Sequence, residues 1–336
     1  MRNPELSIVV IGRNEGPRLA ACFESIRAAR QLPEPTELIY VDSHSTDGSP
    51  ECAASYAAKV VELGPGKTTA ARARNAGWQA ATAPFLLFLD GDTILHPDFV
   101  ARALPEFANP RVAVVWGHRR EIRPEASIYN RVLDLDWIAL PGDTDYCGGD
   151  ALMRREVLER TNGFDPALIA GEEPDLCRRI RGMGYRILHI DAPMTGHDLA
   201  LHHVSQYWRR AIRTGHAYAE VSGRYRDTAD PLWTRESRKN LIQGSLYILA
   251  AAGIVATAFL RHSWVPLLVG ALAAAALAVR TAVAFRWKGL PWRTLLAFGV
   301  HSHVQHVPIL LGQLVYFGRL WRGESHVLIE YKAKSS

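Results

Sequence analysis

Four short apolar runs, at residues 6–11, 37–41, 59–63 and 85–89, are separated by stretches of helical character at 17–30, 49–58 and 69–82. Connections that each hold a helix join parallel neighbours rather than hairpin partners. The pattern therefore dictates an α/β fold with a Rossmann-like, parallel-rich sheet flanked by helices. Sheets of this kind bind ligands beyond the carboxyl ends of their strands. The chain concentrates polar residues at those ends: Arg13, Asn14 and Glu15 after the first run, Asp42 and Ser43 after the second, and Asp90-Gly91-Asp92 after the fourth.

Beyond residue 111 the alternation loosens. A strand is expected at 112–116, a helix near 127–140, and then a glycine-rich turn, Cys147-Gly148-Gly149-Asp150. The segment 172–181 reads as a helix that opens with Glu172, Glu173 and Asp175 and closes with Arg178, Arg179 and Arg181, the order a helix dipole favours. A strand at 185–190 and a basic, aromatic, amphipathic helix at 202–221 follow.

The two ends of the chain differ in charge. Residues 1–200 carry 22 Lys/Arg against 28 Asp/Glu, and the remainder carries 17 against 6. The basic end lacks the clustered Lys/Arg interleaved with polar residues that nucleic-acid binding requires. It has instead an uncharged run of 20 residues at 241–260, about 30 Å of helix, and a second of 16 at 264–279. Three residues, Arg261-His262-Ser263, separate the two runs, which suits a helical hairpin crossing a membrane. Arg235, Arg238 and Lys239 precede the pair and Arg280, Arg286, Lys288 and Arg293 follow it, so both flanks are expected in the cytoplasm. A third apolar stretch, 294–318, holds His301, His303, Gln305 and His306, which argues for an interfacial or re-entrant helix rather than a third span. These histidines lie near no acidic residue in sequence and read as interfacial packing. The expected organisation is a soluble domain over 1–225, a basic linker over 226–240 and a membrane region over 241–336. Residues 1–15 lack the long apolar core of a secretory signal, so the first domain is expected in the cytoplasm. Four scattered cysteines without a CxxC pair support neither a disulfide framework nor a zinc ribbon.

Two carboxylates spaced as in Asp90-Gly91-Asp92, at the end of a buried strand, can turn toward one hard divalent cation such as Mg²⁺ or Mn²⁺. Gly64-Pro65-Gly66-Lys67-Thr68-Thr69 is not a P-loop, because Val61 stands where that motif requires its first glycine. The acidic cluster Glu172-Glu173-Pro174-Asp175 has two readings of equal weight: the first turn of a helix, or a site where one carboxylate serves as a general base.

Six segments then fall in the order found in family 2 glycosyltransferases, which this chain resembles over about residues 5–220. They are the first strand with Arg13-Asn14-Glu15; Asp42 with Ser45-Thr46-Asp47-Gly48; Ala73-Arg74-Asn75-Ala76-Gly77; Asp90-Gly91-Asp92; Gly148-Gly149-Asp150 with Gly163-Phe164-Asp165; and Glu172-Glu173-Pro174-Asp175-Leu176. The resemblance implies a GT-A fold and inverting transfer of a sugar from a nucleoside diphosphate, of which a UDP-sugar is the leading case. By the same resemblance Asp42 would hydrogen-bond the base, and Arg13, Glu15 and Arg74 would line the nucleotide pocket. Asp90 would lie near the ribose. Asp92 would hold a Mn²⁺ or Mg²⁺ bridging the phosphates, with His197 as a further metal contact or a plain loop histidine. Glu173 would be the base, and Gly149, Asp150, Trp208 and Arg209 would form the acceptor side. The tail around 328–332 resembles that of membrane-attached bacterial members, implying a lipid-linked or other membrane-borne acceptor at the bacterial inner membrane. Polysaccharide synthases carry Gln-x-x-Arg-Trp where this chain has Gln206-Tyr207-Trp208-Arg209-Arg210, which favours addition of one sugar over processive synthesis. The alternatives are a processive synthase subunit, a nucleotidyltransferase and a non-catalytic nucleotide-sugar-binding protein.

Overall fold

A computed structural model of the protein describes residues 3–323. The elements run β1 (Leu6–Gly12), α1 (Pro17–Arg27), β2 (Thr36–Asp42), α2 (Ser49–Ser55), β3 (Lys59–Glu62), α3 (Ala70–Ala80), β4 (Phe85–Asp90), β5 (Thr93–Leu95), α4 (Phe99–Ala103) and β6 (Val112–Glu121). Next come α5 (Ile128–Asp136), β7 (Gly142–Thr144), β8 (Ala151–Arg154), α6 (Arg155–Thr161), α7 (Glu172–Gly182) and β9 (Arg186–His197). The remainder is helical: α8 (Val204–Tyr225), α9 (Thr234–Leu260), α10 (Val265–Ala284), α11 (Trp292–Val304) and α12 (His306–Arg322).

Among the described residues the chain forms two compact units, 3–122 with Trp137–Leu199, and Arg123–Asp136 with 200–323. This division differs from the expected boundary at 225: by compactness α5 and α8 go with the carboxyl-terminal helices. Residues 234–240, expected as linker, are the first turns of α9.

The first unit is built on one sheet in the order β3-β2-β1-β4-β8-β6-β9-β5, with β7 paired to β9. The four strands legible in the sequence, β1 to β4, are mutually parallel, as the helical connections require. The far half is mixed, with β8 antiparallel to both β4 and β6. Alternate β1 side chains serve opposite cores. Val9 and Ile11 pack with Ala71, Trp78, Leu176 and Ile180, whereas Ile8 and Val10 pack with Leu19, Phe23 and Phe99. The order of connection reverses at β1, whose neighbours are β2 and β4, so a crevice opens at its carboxyl end. Register fixes what lines it: Gly12 pairs with Asp42 and Ile11 with Asp90.

In the second unit the helices meet at glycines. A Cβ on Gly215 of α8 would lie 1.9 Å from the Ile309 carbonyl oxygen of α12, and one on Gly312 would lie 2.0 Å from the Ile212 carbonyl oxygen. Such backbone contact is how helices pack where lipid removes the hydrophobic drive between them. Helices α9 and α10 are long and apolar enough to cross a membrane, and most of their large apolar side chains are exposed. The stretch 294–318 is two helices broken at Gln305, each shorter than a span. One of its histidines, His301, does have an acidic partner, contrary to the expectation that none would. The Nδ1 of His301 meets the Tyr207 hydroxyl at 2.8 Å and its Nε2 meets Asp136 at 3.3 Å. His303 lies between Tyr247 and Thr281, and His306 meets Asn240. Long-range packing supplied one acid, three hydroxyls and an amide that sequence proximity did not. The tail residues 328–332 lie outside the described residues.

Candidate active site

At the carboxyl edge of the sheet, Arg74 gathers three of the expected carboxylates. Helix α3 is capped by Thr69, whose hydroxyl accepts the Arg72 N–H, and Arg74 extends from its second turn into the protein. One guanidinium nitrogen lies 2.9 Å from Glu172 and 3.1 Å from Glu173, and another lies 2.9 Å from Asp90. Burial works against the cation, but Glu173, Asp90, Glu172 and Asp150 outweigh it and hold the guanidinium firmly charged. The neighbouring Asn75 explains a second motif: its amide donates to the Phe164 carbonyl and accepts the Phe164 N–H, tying Gly163-Phe164-Asp165 to α3.

The acidic cluster resolves into three distinct residues. Asp175 is 1% exposed and accepts hydrogen bonds from both Nε and Nη2 of Arg179 on one oxygen, and Glu172 is 6% exposed against Arg74. Glu173, at 17%, is the member that opens to the crevice. Gly149 sits against it. A Cβ there would lie 2.3 Å from Arg74 Nη2, 3.1 Å from Asp90 and 3.3 Å from Glu173. Asp150 is fully buried and accepts hydrogen bonds from the Asp90 N–H and the Thr195 hydroxyl, with Arg119 at 3.2 Å. Burial pushes its pKa up and Asp90 adds to this, while Arg119 and the two hydrogen bonds pull it down.

Asp90, Asp92 and His197 each offer a ligand atom, and the three atoms lie within 4.8 Å of one another. Two carboxylate oxygens and an imidazole nitrogen are a donor set that fits Mn²⁺ and, less well, Mg²⁺. His197 is not a loop histidine. Strand β9, expected to end at 190, runs to His197, and β5 pairs with it so that Thr93, next to Asp92, faces His197. The resulting Nε2 to Asp92 Oδ1 distance is 3.5 Å.

Of the residues expected to face a nucleotide, Asp42 is buried at the end of β2, its carboxylate accepting the Ser45 N–H and the Tyr40 hydroxyl. Asn14 and Gly16 are fastened to Ser45, Thr46 and Asp47, which joins two of the expected motifs into one wall. Glu15 pairs with Arg18 at 2.9 Å, and Arg13 is exposed. Trp208 and Arg209 lie on α8, in the other compact unit. Gln206 of the same segment caps that helix, its side chain accepting the His202 and His203 N–H groups.

The sequence reading missed two residues here. Arg119 follows the residues expected as strand 112–116, and its guanidinium lies over the Trp137 ring at 5.6 Å; that ring is edge-on to His197 at 5.2 Å. No local pattern marks either residue, because β6 and the segment after α5 come together only through the sheet.

Residues 7–161 match the family described as glycosyl transferase family 2. Over 243 residues the chain is 28% identical to the pre-mycofactocin glycosyltransferase of Mycobacterium tuberculosis, covering 68% of this chain and 50% of that protein. It is 26% identical over 212 residues to the O-antigen chain rhamnosyltransferase WbaN of Salmonella anatum, covering 58% and 66%. The chain thus spans about half the length of the mycobacterial relative. Among solved structures, the mannosyltransferase PcManGT of Pyrobaculum calidifontis, in complex with GDP-Man and Mn²⁺, superposes with a TM-score of 0.65 at 23% identity over 94% of this chain and 88% of its own. That likeness bears on the fold, which is GT-A.

Proposed function

With residues 7–161 belonging to glycosyl transferase family 2, we propose that this chain is a metal-dependent, inverting glycosyltransferase that moves one sugar from a nucleoside-diphosphate sugar to a membrane-borne acceptor. The observation that carries the reading is the meeting of Asp90, Asp92 and His197 with the Arg74-bound Glu173 at one sheet edge. The donor base would lie against Asp42 and the wall formed by Asn14 and Ser45. Asp92 and His197, with Asp90, would hold Mn²⁺ or Mg²⁺. A cation bound there supplies positive charge opposite the departing diphosphate. Glu173 takes the proton of the acceptor hydroxyl as the acceptor oxygen bonds to the sugar's anomeric carbon, and the bond to the diphosphate breaks on the opposite face. Arg74 fixes that carboxylate in place. UDP-sugars and GDP-sugars are the donors to compare, since the mannosyltransferase of the same fold was crystallised with GDP-Man.

Helices α9 and α10 would cross the bacterial inner membrane, with α11 and α12 at its surface and the catalytic unit in the cytoplasm. An acceptor carried by lipid suits an enzyme fixed to that surface. The test is product analysis: purified protein, Mn²⁺, labelled nucleotide sugars and membrane lipid extract should release a nucleoside diphosphate and label one lipid product. Pyrophosphate as product would mean nucleotidyl transfer instead. Turnover that persists in excess EDTA would remove the metal from the mechanism.

A further inference from the structure

Beside the metal triad lies a pair of side chains that the reaction as described does not use. Arg119 is largely buried, at 15% exposed, and among the described residues Asp150 is the acceptor its guanidinium meets. A guanidinium has five N–H donors in a rigid fork, more than the one carboxylate at 3.2 Å can accept. Trp137 lies under that guanidinium and edge-on to His197, and it is half-buried, so part of the indole remains open. A Cβ on Gly148 would come within 2.8 Å of Arg119, while Gly149 abuts Arg74, Asp90 and Glu173. The Arg119–Trp137 pair therefore borders the metal triad through His197, and the Gly148-Gly149 turn leads from Arg119 to Glu173.

Charge decides what fits there. Asp150 pairs with the Arg119 cation, and Asp90, Glu172 and Glu173 outnumber the single charge of Arg74, so no cation here lacks a carboxylate. A free anion gains little from a guanidinium whose charge is neutralised at 3.2 Å, whereas hydroxyl groups gain a hydrogen bond without a second counter-charge. An apolar aromatic surface beside neutralised donors matches a pyranose ring, apolar on its C–H faces and hydroxylated at its rim. We propose that Arg119 and Trp137 form a neutral-hexose subsite next to the metal triad. The inference rests on the glycosyltransferase reading above. The hexose is either the one transferred from the donor or the one at the end of the acceptor.

The experiment uses the full chain in detergent with Mn²⁺. Calorimetry measures the affinity of GDP-mannose and UDP-glucose, with GDP and UDP as controls that lack the sugar, for the native protein, Trp137→Ala and Arg119→Lys. The lysine keeps the charge beside Asp150 and loses the fork. If the hexose is the donor's, both variants lose about tenfold or more in affinity for the nucleotide sugar that the native protein binds, while the matching nucleoside diphosphate is held as before. If it is the acceptor's, donor affinity stays native and the amount of membrane lipid extract needed for half-maximal transfer rises about tenfold in both variants. Variants that bind and turn over like the native protein overturn the subsite. So does an equal loss for nucleotide and nucleotide sugar, which would mean a merely structural role. A native protein that binds neither nucleotide would overturn the glycosyltransferase reading and this inference with it.

Discussion

Glu173 and its neighbours differ in what surrounds them, and that difference makes the assignment of the base testable. Glu173→Gln keeps a side-chain oxygen for Arg74 but cannot take a proton. Its kcat should fall by about 10²–10⁴-fold while nucleotide affinity stays near native. Glu172→Gln and Asp175→Asn weaken charges already committed to Arg74 and Arg179, so they should lower the unfolding temperature more than turnover. A crippling effect confined to either of these would move the base. Gly149 is the complementary case. A methyl group there would collide with Nη2 of Arg74, which Asp90 holds, while Glu172 and Glu173 hold Nη1 of the same guanidinium, so the side chain cannot withdraw without leaving these carboxylates unpaired. Gly149→Ala should cost about 1–3 kcal/mol in stability and lose most of its kcat; a calorimetric scan and steady-state kinetics on one preparation check both.

At the scale of elements, the crossing of α8 and α12 is set by backbone against backbone. Gly312→Ala puts a methyl group 2.0 Å from the Ile212 carbonyl oxygen, so the helices must separate. A loss of about 1–3 kcal/mol, read as a lower unfolding temperature in detergent, is expected. Gly318, on the same helix, has no atom within 4 Å of a Cβ, so Gly318→Ala should be neutral or stabilising by up to ~1 kcal/mol from helix propensity alone. Equal effects from the two would refute the packing. Elements also explain where sequence reading stopped. Strands β1 to β4 announce themselves as apolar runs, but β5, β7 and β8 are three or four residues long, too short for a pattern of period two to show. Their positions come from partners already in the sheet.

For the whole molecule, the proposed topology makes the turn between α9 and α10 the part exposed on the outer side, with basic residues on both cytoplasmic flanks. A cysteine at Ser263 should be labelled by a membrane-impermeant thiol reagent in intact spheroplasts. Cys22, Cys147 and Cys177 are buried and should not react, and Cys52 belongs to the unit that the proposed topology puts in the cytoplasm. A Ser263→Cys protein labelled only after lysis would mean that the hairpin lies on the membrane without crossing it.

The sequence by itself determined the parallel half of the sheet, the hairpin of apolar helices and the motif residues at the strand ends, because each depends on local periodicity, length or residue type. Asp90 and Asp92 stood out in this way, whereas Arg74 and Glu173 were pointed to by the family resemblance. Tertiary structure decided which member of the acidic cluster opens to the crevice, since exposure depends on whether Arg74 or Arg179 covers a carboxylate. It decided that His197 stands beside Asp92, because β5 adds to β9 in one register and the 104 residues of intervening chain carry no trace of that pairing. It also gave His301 an acid and brought Arg119 onto Trp137, contacts between residues far apart in the chain that no local pattern records.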